Sequence, residues 1–200
     1  MPGKTAVTKM EKLRLFWAIN LPEEHKMELS QIQSRLKDCG ADAKWVECRN
    51  LHVTVKFLGE TDPSRVKGIT ESVTGLLQTC RTFSLAMEGL GFFPGPRSPR
   101  VLWVGLKGEV GVLKEVAGAV DHAMTQHGFP PEVRKFSPHL TLARLKPALN
   151  TDKLIGAMGD EEPGVRTMGL FKIFSVDLMQ SRLTRQGPSY TCLTSVKLNH

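Results

Sequence analysis

Long hydrophobic runs are missing from this 200-residue chain. No stretch approaches 18 consecutive apolar residues, so no membrane-spanning helix is expected. The opening segment, MPGKTAVTKMEKLRLFWAIN, lacks the apolar core and small-residue cleavage site of a secretory leader. Cysteine is sparse: Cys39, Cys48, Cys80 and Cys192 are scattered with no C-x-x-C pair. That fits reduced thiols and a cytoplasmic protein better than a disulfide framework or a zinc site. There is no obvious carboxylate cluster and no H-x-x-x-H pair, so no metal is implied. The stretch GLGFFPG (89–95) has two glycines, but no helix follows and a proline stands where the third glycine should be. It is not a dinucleotide fingerprint, and no cofactor is expected. No Ser or Cys sits in a nucleophile-elbow pattern.

What the chain does have is positive charge: 27 Lys and Arg against 20 Asp and Glu, a formal net charge of +7. A basic surface attracts phosphates, which points towards nucleotide or RNA partners. The same excess also serves ordinary surface solubility.

The elements alternate without following a strict βαβ repeat. Strands are predicted at LRLFWAIN (13–20), KWVE (44–47) and LHVTVKFLG (51–59), followed by the pair FSLAMEGLGFF and RVLWVGL around PGPRSP. HLTLARL and YTCLTSVKL complete the set, and VRTMGLFKIFSVDLMQSRL reads as one long or two broken strands. Helices are predicted over about 23–38, over DPSRVKGITESVTGLLQTC with Asp62 as N-cap and Pro63 in the first turn, and over EVGVLKEVAGAVDHAMTQHG. TDKLIGAMGD reads as a short helix and DEEPG (160–164) as a loop. The strand pairs at 83–106 and 168–197 look like antiparallel ladders, which argues for α+β rather than a doubly wound sheet.

Within LHVTVKFLGE, Val53, Val55 and Phe57 alternate with His52, Thr54 and Lys56, so a regular strand buries the first set and presents the second. Further along, SPHLTLARLK repeats the frame with His139 and Thr141. A bare H-x-T is cheap, and a lone strand histidine is more often structural than catalytic. Two copies, each with apolar residues before, between and after, reverse that reading. In-line displacement at a phosphodiester needs one group to activate the attacking oxygen and another to protonate the leaving oxygen. Two imidazoles suit that pair of roles. A threonine two residues along lies about 7 Å away on the same face, placed to donate to a phosphate oxygen. Spacing does not assign acid and base between the two histidines.

These residues resemble the 2H phosphoesterase superfamily, and within it the RNA 2′,3′-cyclic phosphodiesterases, historically called 2′-5′ RNA ligases. RLFWAINLPEE, WVECRNLHVTVKFLGE, RVLWVGL, FSPHLTLAR and MQSRLTRQGPSY carry the resemblance, which spans about residues 14–198. It implies one bilobal α+β domain over 1–200, with 1–13 a flexible N-terminus. Each of two pseudo-symmetric lobes would be an antiparallel sheet with helices outside, and each would bring one H-x-T strand to a cleft between them. It further implies His52 as proton donor to the leaving O3′, His139 as proton acceptor from water, and Thr54 and Thr141 as phosphate ligands. The substrates would be RNA ends or nucleotides carrying a 2′,3′-cyclic phosphate, handled by a monomer without metal or cofactor. Arg144 and Phe57 are placed near the substrate by the same resemblance. Each stands five residues after its histidine, an odd offset, so that placement requires a strand end, twist or bulge. Trp17, Trp45 and Trp103 are expected in the core. Activity on 2′,5′ linkages or small cyclic nucleotides, or non-catalytic RNA binding, are the rival readings.

Overall fold

The computed structural model of the chain describes residues 11–146, 151–185 and 187–199. In chain order the elements are β1 (Leu13–Asn20), α1 (Glu23–Lys37), β2 (Ala43–Trp45), β3 (His52–Thr61), α2 (Val66–Leu77), β4 (Phe83–Phe93), β5 (Val101–Gly108), α3 (Val110–Gln126), β6 (His139–Leu145), α4 (Thr151–Thr167), β7 (Phe171–Ile173), β8 (Ser175–Thr184) and β9 (Gly187–Lys197). Of the flexible segment expected at 1–13, residues 1–10 lie outside the described residues, and Leu13 is already in β1.

All nine strands belong to one antiparallel sheet, ordered β7-β4-β5-β6-β3-β1-β8-β9, with β2 pairing Ala143 to Leu145 of β6 beyond the point where β3 leaves it. The sheet divides where β3 meets β6, because their ladder consists of one pair, Val53 opposite Leu140. On one side β3, β1, β8 and β9 form the first lobe, with α2 against β9 and α3 against β3. On the other, β6, β5, β4 and β7 form the second, with α4 against β4 and α1 against α4. Each H-x-T strand therefore sits at the inner edge of its lobe.

Local chemistry explains the helix ends. Asp62 Oδ1 accepts from the Ser64 N–H at 2.9 Å, with Pro63 in the first turn. Glu23 and Glu24 open α1, and Arg35 and Lys37 close it, matching the helix dipole. Leu29, Ile32 and Leu36 line its buried face. The main core lies between sheet and helices, with Trp17, Phe83, Leu85 and Leu140 almost wholly buried. A second, small cluster of Phe16, Ala18 and Met179 occupies the concave face, with Tyr190 packed against it.

Three expectations are corrected. The helix read as ending at 160 continues to Thr167, through Pro163 and the segment read as the loop DEEPG. Leu154 and Val165 are completely buried along it, and Glu161 holds Arg35 of α1 at 2.7 Å. That burial outweighs the roughly 3 kcal/mol a helical proline costs. The stretch from Val165 accordingly starts as helix, and its strand portion is broken at Phe174 between β7 and β8. Within β3, Lys56 and Phe57 exchange the faces expected for them. Lys56 is 5% exposed and Phe57 is 63% exposed.

Candidate active site

A β-bulge accounts for that exchange. Along the β1–β3 ladder Trp17 pairs with Lys56 and Ala18 with Thr54, so Val55 is an extra residue. Val55 and Lys56 both turn to the helix side, and Phe57 returns to the face of His52 and Thr54. The second motif does the same. Leu102 pairs with Ala143 and Trp103 with Thr141, leaving Leu142 as the extra residue. Leu142 and Ala143 are buried, and Arg144 rejoins the face of His139 and Thr141. One unpaired residue at the same place in each motif converts the odd offset of five into a shared face.

His52, Thr54, Phe57, His139, Thr141 and Arg144 all line one cleft of about 670 Å³. Each imidazole is held by the same device. His52 Nδ1 donates to the Asn50 carbonyl at 2.7 Å, and His139 Nδ1 donates to the Ser137 carbonyl at 2.7 Å. With Nδ1–H committed to a carbonyl, the neutral ring keeps its lone pair on Nε2. His52 Nε2 lies 3.0 Å from Thr54 Oγ1. Aromatic rings fix both imidazoles laterally. Phe16 stacks at a tilt on His52 at 5.0 Å, Tyr190 meets it edge-on at 5.3 Å, and Phe93 meets His139 edge-on at 4.9 Å.

Burial pushes His52 below the ordinary histidine value, and the nearby Lys26 and His139 push the same way against the Asn50 carbonyl. Tyr190 is pushed up, chiefly by its own burial. Arg14 and Lys44 join Arg144 as cations around the cleft, where Glu47 is drawn to Arg49 at 2.8 Å. Among the described residues no three His, Cys, Asp or Glu side chains converge on a common point.

The two motifs stand out in the sequence, and the residues that support them do not. Asn50 is 4% exposed; its carbonyl holds His52, and its side-chain amide donates to the Pro188 carbonyl at 2.8 Å. That bond fastens the start of β9, and with it Tyr190, beside the cleft. Tyr190 is the single tyrosine of the chain, a composition signal that could have singled it out. Phe16 was hidden because FWAI is apolar on both faces of its strand. Trp17 is core as expected, whereas Trp103 is half-buried outside the core, lying over Gly91 on the next strand. Trp45 packs partly against the core and also borders the cleft.

A bilobal antiparallel sheet bearing paired histidines, threonines and cations in one cleft defines a phosphoester-handling enzyme. Known proteins of the same build agree. The family model described as LigT like Phosphoesterase matches residues 19–103 and again 104–190. The chain belongs to this LigT-like phosphoesterase family of the 2H superfamily. It is 38% identical over 172 residues to a protein of Aeropyrum pernix named RNA 2′,3′-cyclic phosphodiesterase, covering 84% of this chain and 94% of that one. A protein of the same name from Methanothermobacter thermautotrophicus is 34% identical over 187 residues, covering 94% of this chain and all of its own length. Among solved structures, TT0787 of Thermus thermophilus superposes with a TM-score of 0.76 at 27% identity, covering 93% of this chain and 98% of that one.

Proposed function

We propose that this protein hydrolyses RNA-terminal 2′,3′-cyclic phosphates to 2′-phosphates, without a metal, by acid–base catalysis between His52 and His139. The observation that carries the reading is the matched anchoring of two imidazoles in one cleft, each tied through Nδ1 to the carbonyl two residues upstream. The curated relatives named RNA 2′,3′-cyclic phosphodiesterase support the substrate class.

In this mechanism the cyclic phosphate sits between the two rings, with Thr54 and Thr141 hydroxyls donating to its non-bridging oxygens. His139 Nε2 takes a proton from water as the water oxygen attacks phosphorus. The P–O3′ bond breaks on the opposite side, and O3′ takes the proton of His52 Nε2. The products are a 2′-phosphate and a free 3′-hydroxyl. The turnover leaves His139 protonated and His52 neutral, and exchange with solvent restores both. Burial makes the His52 imidazolium a stronger acid, and the anionic phosphate beside it favours the charged ring when substrate is bound. The threonines stabilise charge that grows on the phosphate oxygens.

Arg144 binds phosphate or a stacked base from the same face, and Phe57 offers an exposed ring to a base. Non-catalytic RNA binding would use the cations but has no need of two Nδ1-anchored imidazoles.

The deciding experiment incubates EDTA-treated protein with an RNA ending in a 2′,3′-cyclic phosphate and identifies the terminal isomer. A 2′-phosphate is expected. A 3′-phosphate, absence of hydrolysis, or activity that returns only with added divalent metal would each refute the proposal.

A further inference from the structure

Lys56 carries a buried charge that neither catalysis nor substrate binding uses. Its side chain is 5% exposed, on the convex face to which the Val55 bulge turns it. Nζ donates to the Pro130 carbonyl at 2.6 Å and lies 2.5 Å from Asp121 Oδ1 on α3. That same carboxylate oxygen accepts from the Glu132 N–H at 3.0 Å. Pro130 and Glu132 belong to the segment without helix or strand that joins α3 to β6 and delivers Ser137 and His139.

Phe129 at the start of this segment is buried beneath the Arg65 guanidinium and Phe136 near its end packs against the core, whereas Pro130 to Lys135 between them are exposed, Val133 at 94%. Its neighbour β3 touches β6 through a single ladder pair. His139 is paired with Gly105 within its own lobe, and Lys56 ties the exposed stretch that leads to it from directly beneath the first motif. An uncharged chain of the same length would fill the space without the desolvation cost of an ammonium, so packing alone does not call for a lysine.

We infer that Lys56 is a positioning residue for the two-histidine reaction: through Pro130 and Asp121 it fixes the segment that delivers His139 relative to the strand that carries His52. The inference rests on the function proposed above. A displacement of about 1 Å at a reacting group costs on the order of a hundredfold in rate. Loosening this link acts on turnover, because the phosphate-binding side chains stay in the cleft.

The test compares wild type with Lys56→Met, the neutral pair Lys56→Met/Asp121→Asn, and Asp121→Ala, measuring Tm, kcat and KM on RNA with a terminal 2′,3′-cyclic phosphate. Lys56→Met is expected to lower kcat by about 10–100-fold with KM within about threefold. The neutral pair, which leaves no unpaired buried charge, is expected to recover Tm but not kcat. Recovery of both together, or a Lys56→Met kcat within about twofold of wild type, overturns the inference. If neither Lys56 variant folds, Asp121→Ala decides, since Asp121 is 27% exposed and its loss cuts the tie to Glu132. A fall in kcat of about fivefold or more supports the inference, and an unchanged kcat overturns it. The His139 ring signals, followed by NMR in the variants that fold, are read without turnover. They are expected to move while those of the remote His25 stay, and unmoved His139 signals overturn the inference. Wild type that is inactive on this RNA refutes the proposed function, and the NMR comparison still judges the clamp.

Discussion

The sharpest consequence of the proposed roles is a pH profile whose two limbs belong to two named residues. His52 must carry a proton when O3′ leaves, and His139 must be neutral when water attacks. Burial disfavours the charged form of His52, so in the free protein its proton comes off below the ordinary value of about 6.5. His52 titrated directly in the free protein should lie below that value, and the alkaline limb of kcat/KM is the loss of this proton. One pH unit above it, about one tenth of the molecules hold the acid in its active form, and the limb falls with unit slope. In the complex an anionic phosphate stands against the ring, and an opposite charge within 4–6 Å raises such a group by about 1–3 units. The alkaline limb of kcat is thus expected to lie about 1–3 units above that of kcat/KM. The assay is a set of initial rates over about pH 4.5–9 in EDTA, with NMR titration of His52 before and after addition of a 2′-phosphorylated product. His52→Ala should erase the alkaline limb from the residual activity, and His139→Ala the acidic limb. Erasure of the opposite limbs would show the roles to be exchanged. A His52 that titrates above the ordinary value in the free protein would remove the burial argument.

Other outcomes follow from the same geometry. His52→Ala and His139→Ala should each lower kcat by about 10²–10⁴-fold, with the double variant far from multiplicative, because both act in one displacement. Thr54→Ala and Thr141→Ala should cost about 10–10³-fold in kcat through lost hydrogen bonds to developing charge. Arg144→Ala should raise KM more than it lowers kcat if its contact is equally strong in ground and transition states, and steady-state kinetics separates the two. Since His52 binds its proton less readily folded than unfolded, its contribution to stability is full above about pH 6.5 and is lost as pH falls through its folded value; denaturation of His52→Ala should show a flatter acid side.

Much of the site could be read from the chain because strand periodicity is short-range. L-H-V-T-V and P-H-L-T-L declare one dry and one polar face without knowledge of anything distant. The bulges at Val55 and Leu142 could not be read this way. An extra residue in one strand is defined only against its partner, and neither valine nor leucine marks it. Hence Lys56 was assigned to the wrong face, and the placement of Phe57 and Arg144 needed the resemblance. The course of α4 failed for a related reason: Pro163 is a strong local signal, overridden by burial of Leu154 and Val165 against elements far away in sequence. The antiparallel lobes were visible in the paired strand patterns, whereas nothing local tells which helix covers which half of the sheet.

That covering pattern bears on the history and folding of the molecule. α1 follows a strand of the first lobe and serves the second; α3 follows a strand of the second and serves the first. β8 and β9 return from the far end of the chain to complete the lobe begun by β1. The two family matches, 19–103 and 104–190, are therefore repeats of pattern and not separable bodies. A fragment cut between them would expose the flank of β1 that β8 covers and lack the helix that backs β3. Whatever duplication produced this arrangement, its halves have become interlaced. The chain should melt in a single cooperative transition and fold slowly for its size, because its defining contacts join residues far apart in sequence.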